Sequence, residues 1–214
     1  LGISLDGFGD YVSGSVATFD GGFRMHKRVF FPHSLGIFYQ AFCQLIGFPR
    51  YGDEYKVMGL AAYGSKSQYC PIVESMVGLH GDKYELDLKY FRHHTSEFKY
   101  EISGGIPVID QLYAEDLCDR LGENPREPNS ALTSVHKNIA FAVQRHFEII
   151  VLQFIERARE DFSPNNRHLS LSGGCAMNSV ANGKILSTKM FDDMFVQPAG
   201  GDSGGALGAA VLHA

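Results

Sequence analysis

The chain has 214 residues, 44% of them hydrophobic and 20% charged, enough for one domain or a compact pair with a substantial buried core. Its formal net charge is −5 and no basic tract stands out, which argues against a dedicated nucleic-acid binder, because neutralising phosphates needs clustered Lys and Arg. No apolar run reaches the roughly 18 residues of a membrane span, and no signal peptide is legible. The four cysteines, Cys43, Cys70, Cys118 and Cys175, form no CxxC pair and fit neither a zinc finger nor a disulfide framework, so reduced thiols in a cytoplasmic protein are expected.

Leu1-Gly-Ile-Ser-Leu-Asp6 already reads as a strand, with no initiator Met and no polar lead-in, so a piece of a longer protein is expected. Ile3 to Leu5 leads into Asp6-Gly-Phe-Gly-Asp10. Tyr11 to Phe19 and Phe23 to Phe31 follow, separated by Asp20-Gly-Gly22. Asp-Gly and Gly-Gly between β-prone runs predict an antiparallel meander. Pro32-His-Ser34 then introduces a helix with Ser34 as its N-cap. Leu35, Phe38, Phe42 and Leu45 share one helical face, and Gly47 followed by Pro49 stops the helix.

Residues from about 50 to 130 are less regular. Tyr84 to Tyr90 alternates as a half-buried strand, with Phe98 to Ile102 as its expected partner. Gly104, Gly105, Pro107, Pro125 and Pro128 mark loops, which makes this stretch an α+β insertion. Asn129-Ser130 opens the longest helix, which keeps its period through Leu132, Val135, Ile139, Val143, Phe147, Ile150 and Phe154 to about Asp161. Ser163-Pro-Asn-Asn166 ends it. A strand at Leu169 to Ser172, a helix at Asn178 to Leu186, a strand at Met194 to Gln197 and an apolar helix at Ala206 to Ala214 complete the chain.

The order is β-β-β-α, the insertion, then α-β-α-β-α, which fits a β-β-β-α-β-α-β-α lobe carrying an insertion. Alternating strand and helix in the second half implies parallel strands covered by helices, and hence a mixed sheet in an α/β fold. The arrangement resembles the ribonuclease-H-like lobe that the actin-like ATPase superfamily uses twice, here with one copy.

Two glycine-rich segments follow the last two strands. Leu169-Ser-Leu-Ser-Gly-Gly-Cys-Ala-Met-Asn178 is the more informative, and Ala199-Gly-Gly-Asp-Ser-Gly-Gly205 comes about twenty-five residues later. Glycine accepts positive φ and lets a backbone approach a ligand closely, and the N–H groups at a helix start are open to anions. Paired loops of this kind suggest a nucleotide cleft. Asp6, at a strand's exit beside Gly7 and Gly9, is placed either to hold a cation or simply to start a turn. Asp202 is likewise a cation ligand or a helix cap. Lys56, with Glu54 beside it, meets phosphate or forms a solvated ion pair, and the ion pair is the ordinary reading. The small residues from Ser203 to Ala210 predict close packing against another segment or a ligand, because glycine is costly inside a helix. None of the nine histidines has metal-site spacing with an acidic partner.

Five stretches carry a family resemblance: Leu5-Asp-Gly-Phe-Gly9, Pro32-His-Ser-Leu-Gly-Ile-Phe-Tyr39, Glu54-Tyr-Lys-Val-Met-Gly-Leu-Ala61, Leu171-Ser-Gly-Gly-Cys-Ala-Met-Asn178 and Gly200-Gly-Asp-Ser-Gly-Gly-Ala-Leu-Gly208. Together, nearly end to end and in order, they resemble the O-carbamoyltransferases of the nodulation-factor (NodU) and antibiotic-tailoring type. The resemblance implies a two-module enzyme. A YrdC-like module makes carbamoyl-adenylate from carbamoyl phosphate and ATP. A module similar to the tRNA threonylcarbamoylation protein then passes the carbamoyl group to an acceptor hydroxyl on a small molecule or sugar.

In that family the adenylate sits around a metal, usually iron, held by two His and two Asp. By resemblance Asp6 and Asp202 match the two metal Asp. Gly7, Gly9, Gly173, Gly174, Asn178, Gly200 and Gly201 line the nucleotide site, and Lys56 lies in a family motif. The metal acts as a Lewis acid toward the leaving AMP, and backbone N–H groups of the glycine loops add fixed donors. The family's metal histidines fall upstream of the opening strand. Residues 1–214 thus match the second lobe, with the first lobe and the YrdC-like module outside the chain.

Such a piece is expected to be inactive alone and to bind ATP weakly or not at all. Two alternatives stay open: a tRNA threonylcarbamoylation-type lobe, and a non-catalytic actin-like nucleotide-binding lobe. The acceptor, the general base and any homo-oligomer remain open as well.

Overall fold

Residues alternating between a buried and an open face make the opening strands. In β1 (Gly2–Gly9), Ile3 and Leu5 are buried while Ser4 and Asp6 are partly open. β2 (Val12–Phe19) and β3 (Phe23–Phe30) follow it. The computed structural model describes residues 1–104, 106–201 and 203–213. The remaining elements are α1 (Leu35–Leu45), α2 (Glu54–Ala61), α3 (Tyr69–Glu74), β4 (Val77–His80), β5 (Lys83–Leu86), β6 (Tyr100–Ser103), β7 (Ile106–Ile109), α4 (Glu115–Leu121), α5 (Ser134–Phe162), β8 (His168–Ser172), α6 (Ser179–Ser187), β9 (Asp193–Val196) and α7 (Gly204–His213).

The described chain divides into two compact units. The first comprises Leu1–Gly36, Leu79–Tyr84 and the stretch from Ile150 onward. The second comprises Ile37–Gly78 and Glu85–Ile149.

The first unit holds a five-stranded sheet in the order β3-β2-β1-β8-β9. β1 pairs antiparallel with β2, and β2 with β3, which is the expected meander. β1 pairs parallel with β8, and β8 with β9. The fold is therefore α/β with a mixed sheet. The first hairpin turns at Asp10 and Tyr11, both at positive φ (50° and 65°), as a two-residue loop between twisted strands requires. β3 closes one side of the sheet and carries Arg24, Lys27 and Arg28. Lys27 pairs with Asp82 and with Asp161, and its ammonium lies 4.7 Å from the centre of the Phe162 ring.

In the second unit, Phe38, Phe42 and Leu45 of α1 are fully buried, and the α1 chain leaves through Gly47 at φ 82°, the predicted stop. Ile139, Val143 and Phe147 of α5 are buried as the helical period predicts. Inside this core the Tyr39 hydroxyl donates to Gln144 Oε1 (2.7 Å) and Gln144 Nε2 donates to Glu148 (2.8 Å). His146 Nε2–H donates to the Val77 carbonyl (2.7 Å), while its buried Nδ1 has no partner among the described residues.

Several expectations are corrected. The longest helix starts at Ser134, not at Asn129-Ser130. Asn129 stands at φ 68°, which a helix does not admit, and Thr133 ends the lead-in by donating its N–H to His136 Nδ1 (3.0 Å). Leu132 therefore lies outside the helical stripe. The strand expected over Tyr84–Tyr90 stops at Leu86 and turns into a 3-10 turn at Leu88–Tyr90, capped by the Asp87 carboxylate. Its partner is β4 across Gly81, while β6 pairs with β7. Local turns won over the longer pairing. The small-residue helix α7 buries none of its residues among the described chain, and added Cβ atoms at Gly205 and Gly208 would meet nothing within 4 Å.

Candidate functional site

The site lies in the first unit, where the parallel strands β1, β8 and β9 run out. β1 and β8 stay paired through Ser4 and Ser172. The next residue, Gly173, crosses directly over Leu5 at φ 89°. A Cβ there would stand 2.5 Å from the Leu5 carbonyl carbon and 2.9 Å from its nitrogen, so glycine alone fits. Asp6 does not follow the strand, as expected from the sequence. It sits inside β1, where the β1–β2 register breaks between Leu5 and Gly9. That irregularity re-aims a side chain out of the sheet's regular alternation.

Asp6 and the glycine loops meet directly. Asp6 Oδ1 accepts the Gly7 N–H (2.8 Å) and the Gly174 N–H (3.1 Å). Gly173 N–H donates to the Gly200 carbonyl (2.6 Å), which ties the loop after β8 to the loop after β9. A Cβ at Gly200 would stand 3.1 Å from Gln197 O and from Met177 Sδ. The predicted residues Asp6, Gly7, Gly173, Gly174 and Gly200 are thus one contiguous group. The Gly173 and Gly174 N–H groups are already engaged, so these glycines shape the wall and give their protons to the protein's own acceptors. Room for close approach lies at Gly7 and Gly201, where an added Cβ would meet nothing within 4 Å.

Other predicted residues stand apart. Asn178 Oδ1 accepts the Ala181 N–H (3.0 Å) and caps α6. Gly9 pairs with Val12 at the hairpin end. Lys56 belongs to the second unit, where its ammonium meets Asp53 Oδ1 at 2.6 Å and lies 5.6 Å from the Phe48 ring centre. Its partner is Asp53, one residue before the Glu54 that the sequence suggested. Burial pushes the Glu54 carboxyl up, the neighbouring Asp53 charge adding to it. Asp202 lies outside the described residues.

The chemistry of the donor set bears on a metal. Among the described residues no group of three or more His, Cys, Asp or Glu side chains stands together as a metal centre needs. Asp6 supplies one carboxylate donor, and the other expected ligand, Asp202, lies outside the described residues.

Three buried hydroxyls support the site, and sequence reasoning missed them. Ser34, fully buried before α1, donates to the Gly7 carbonyl (2.7 Å) and the Asp6 carbonyl (3.1 Å). Ser13 donates to the His33 carbonyl (2.5 Å) and lies 3.2 Å from the Tyr84 hydroxyl. Burial pushes the Tyr84 phenol far above its ordinary range, so it stays neutral; its bond to Ser13 opposes the shift, and Cys175 and Asp6 add to it. The signal available in the sequence was Pro32-His-Ser-Leu-Gly36, which reads as a helix start and conceals a contact back to β1.

A family model described as the carbamoyltransferase N-terminus matches residues 1–211. The chain belongs to that family. Among curated relatives, an uncharacterized protein of Synechocystis is 35% identical over 98% of this chain and 32% of its own length. The nodulation protein NolO of Bradyrhizobium diazoefficiens is 33% identical over 99% of the chain and 34% of its own length. A 3'-hydroxymethylcephem-O-carbamoyltransferase of Streptomyces clavuligerus is 27% identical over 77% of the chain and 26% of its own length. The carbamoyltransferase N-terminus chain thus spans about a third of the length of the first two relatives. No helix among its described residues is long and apolar enough to cross a membrane.

Proposed function

We propose that this chain is part of an ATP-dependent O-carbamoyltransferase, which moves a carbamoyl group from carbamoyl phosphate, through carbamoyl-adenylate, to the hydroxyl of a small molecule or sugar. The observation that carries the reading is the joining of Asp6, Gly174, Gly173 and Gly200 where β1, β8 and β9 run out. Open α/β sheets bind their ligands outside the carboxyl ends of such strands. The family supports the reaction class, and one relative is by name an O-carbamoyltransferase. The sheet order supports a ribonuclease-H-like lobe of the actin-like superfamily; in this reading it works with a first lobe and a YrdC-like module in a cytoplasmic protein.

In this reading Gly173, Gly174 and Gly200 fix the wall of the nucleotide site, and Gly7 and Gly201 admit the phosphates. A divalent metal, iron in the families resembled, belongs to the reading through Asp6 and Asp202 and would supply Lewis acidity when bound. The chain's own contribution is orientation. The Asp6 carboxylate is fixed by two N–H donors before any ligand arrives, so it reorganises little on binding.

The test uses the full-length protein containing this chain. Carbamoyl phosphate and ATP-dependent carbamoylation of hydroxylated acceptors should be detected, and Asp6→Ala should lower it by at least about a hundredfold. Asp6→Ala and Asp202→Ala should each lower the iron content of that protein, measured by elemental analysis. Adenylate formation without transfer to any acceptor would defeat the reading, and unchanged metal occupancy in both variants would remove the ligand assignment.

A further inference from the structure

Ser34 holds a place in this arrangement that helix capping does not explain. An N-cap side chain acts as an acceptor, taking an N–H from its own helix's first turn. The Ser34 hydroxyl also donates, and its proton goes across to β1, to the carbonyls of Gly7 (2.7 Å) and Asp6 (3.1 Å). The Asp6 carbonyl and the Gly7 N–H belong to one planar peptide unit. Ser34 holds that unit at its oxygen, and the Asp6 carboxylate holds it at its N–H (2.8 Å). A peptide plane restrained at both ends fixes where the Asp6 side chain leaves the backbone, and so where Oδ1 meets Gly174.

Gly36 completes the contact. A Cβ there would stand 2.7 Å from Gly7 Cα, 2.8 Å from Gly7 N and 3.0 Å from Asp6 O. The chain entering α1 therefore presses on the Asp6–Gly7 peptide with backbone alone, and Ser34, at 0% exposure, is sealed against water competing for its proton.

We propose that Ser34, with Gly36 beside it, is a positioning residue that sets the Asp6 carboxylate against the Gly174 N–H. Its effect on turnover rests on the carbamoyl-transfer reading; the positioning itself does not.

The experiment compares Ser34→Ala and the near-isosteric Ser34→Cys with wild type in the full-length protein. Hydrogen exchange is followed on the peptide covering 172–178 and, as an internal reference, on the strand segment 168–171. The same preparations are assayed for kcat and KM. In Ser34→Ala the 172–178 segment should exchange about tenfold faster while 168–171 is unchanged, with Ser34→Cys between them, because one buried hydrogen bond has been removed. kcat should fall about tenfold with KM for the acceptor unchanged.

Wild-type exchange at 172–178 in both variants would overturn the proposal. Uniformly faster exchange of both segments in both variants would overturn it too, by making Ser34 a general stabiliser. Selective loss of protection with unaltered transfer kinetics would uphold the positioning and refute the role given to Asp6 in transfer.

Discussion

In the first unit, buried hydroxyls reach backbone: Ser34 reaches the carbonyls of Asp6 and Gly7 within β1, and Ser13 reaches that of His33 just before α1. In the second unit, Tyr39, Gln144 and Glu148 bond to one another, and His146 bonds to the Val77 carbonyl, deep in the core. Apart from His146 Nδ1, the groups named in both are paired, as buried polar groups generally are. They differ in what the pairing fixes. A network that ends on the backbone beside the glycine loops specifies the shape of that site, whereas one that closes inside a core specifies how helices pack.

That contrast predicts where substitutions should hurt, and how. The largest effect is expected at Gly173, where positive φ and the Leu5 backbone both exclude a side chain. Gly173→Ala should cost about 3 kcal/mol in denaturant unfolding and abolish the site with it. A near-neutral result would show that the loop can leave Leu5, and would break the contrast.

A smaller, pH-dependent effect belongs to His146. Burial holds its pKa below the usual imidazole value, with its bond to the Val77 carbonyl and the Glu74 charge opposing. The folded chain keeps the ring neutral and the unfolded chain takes up the proton first. The unfolding free energy should therefore fall as pH drops below about 6.5, the unfolded value. His146→Gln should flatten that acid limb, measured as the difference from wild type across pH 5 to 8, and leave the hydrogen exchange of segment 172–178 untouched. An altered 172–178 exchange would mean that the two networks are coupled.

The smallest effect is a gain. Gly208 in α7 has open space at its Cβ position, so Gly208→Ala should stabilise the chain by about 0.5–1 kcal/mol in thermal or denaturant unfolding. A loss there would mean that α7 packs closely against a segment beyond the described residues. Gly173 and Gly208 would then no longer be opposite cases of the same residue type.

Two parts of the fold were legible because their signals are local. The meander follows from β-prone runs split by turns, and α1 from Leu35, Phe38, Phe42 and Leu45. Asp6 and the two Gly-Gly pairs were singled out as well, and the structure brings Asp6, Gly173, Gly174 and Gly200 together. What the sequence did not reveal is where their hydrogen bonds go. The Gly174–Asp6 bond spans 168 residues and the Ser34–Asp6 bond spans 28, and neither leaves a periodicity.

The insertion was harder for a different reason. α2, α3 and α4 have eight, six and seven residues, too short for a helical period to separate from chance. The start of α5 was misplaced because Leu132 fits the apolar spacing although Asn129 has already left helical φ.

β3 has a consequence of its own. As the outermost strand of the sheet it is unpaired on one side among the described residues, the kind of edge on which a second chain can nucleate a fibril. The exposed Arg24 and Arg28 lie along it, and a like-charged strand approaching in register would meet repulsion before any ladder formed. Colloidal stability is thus built into one rim of the same sheet whose other strands carry the glycine loops. Neutralising Arg24 and Arg28 is a route to aggregation that would leave Asp6 and its donors intact.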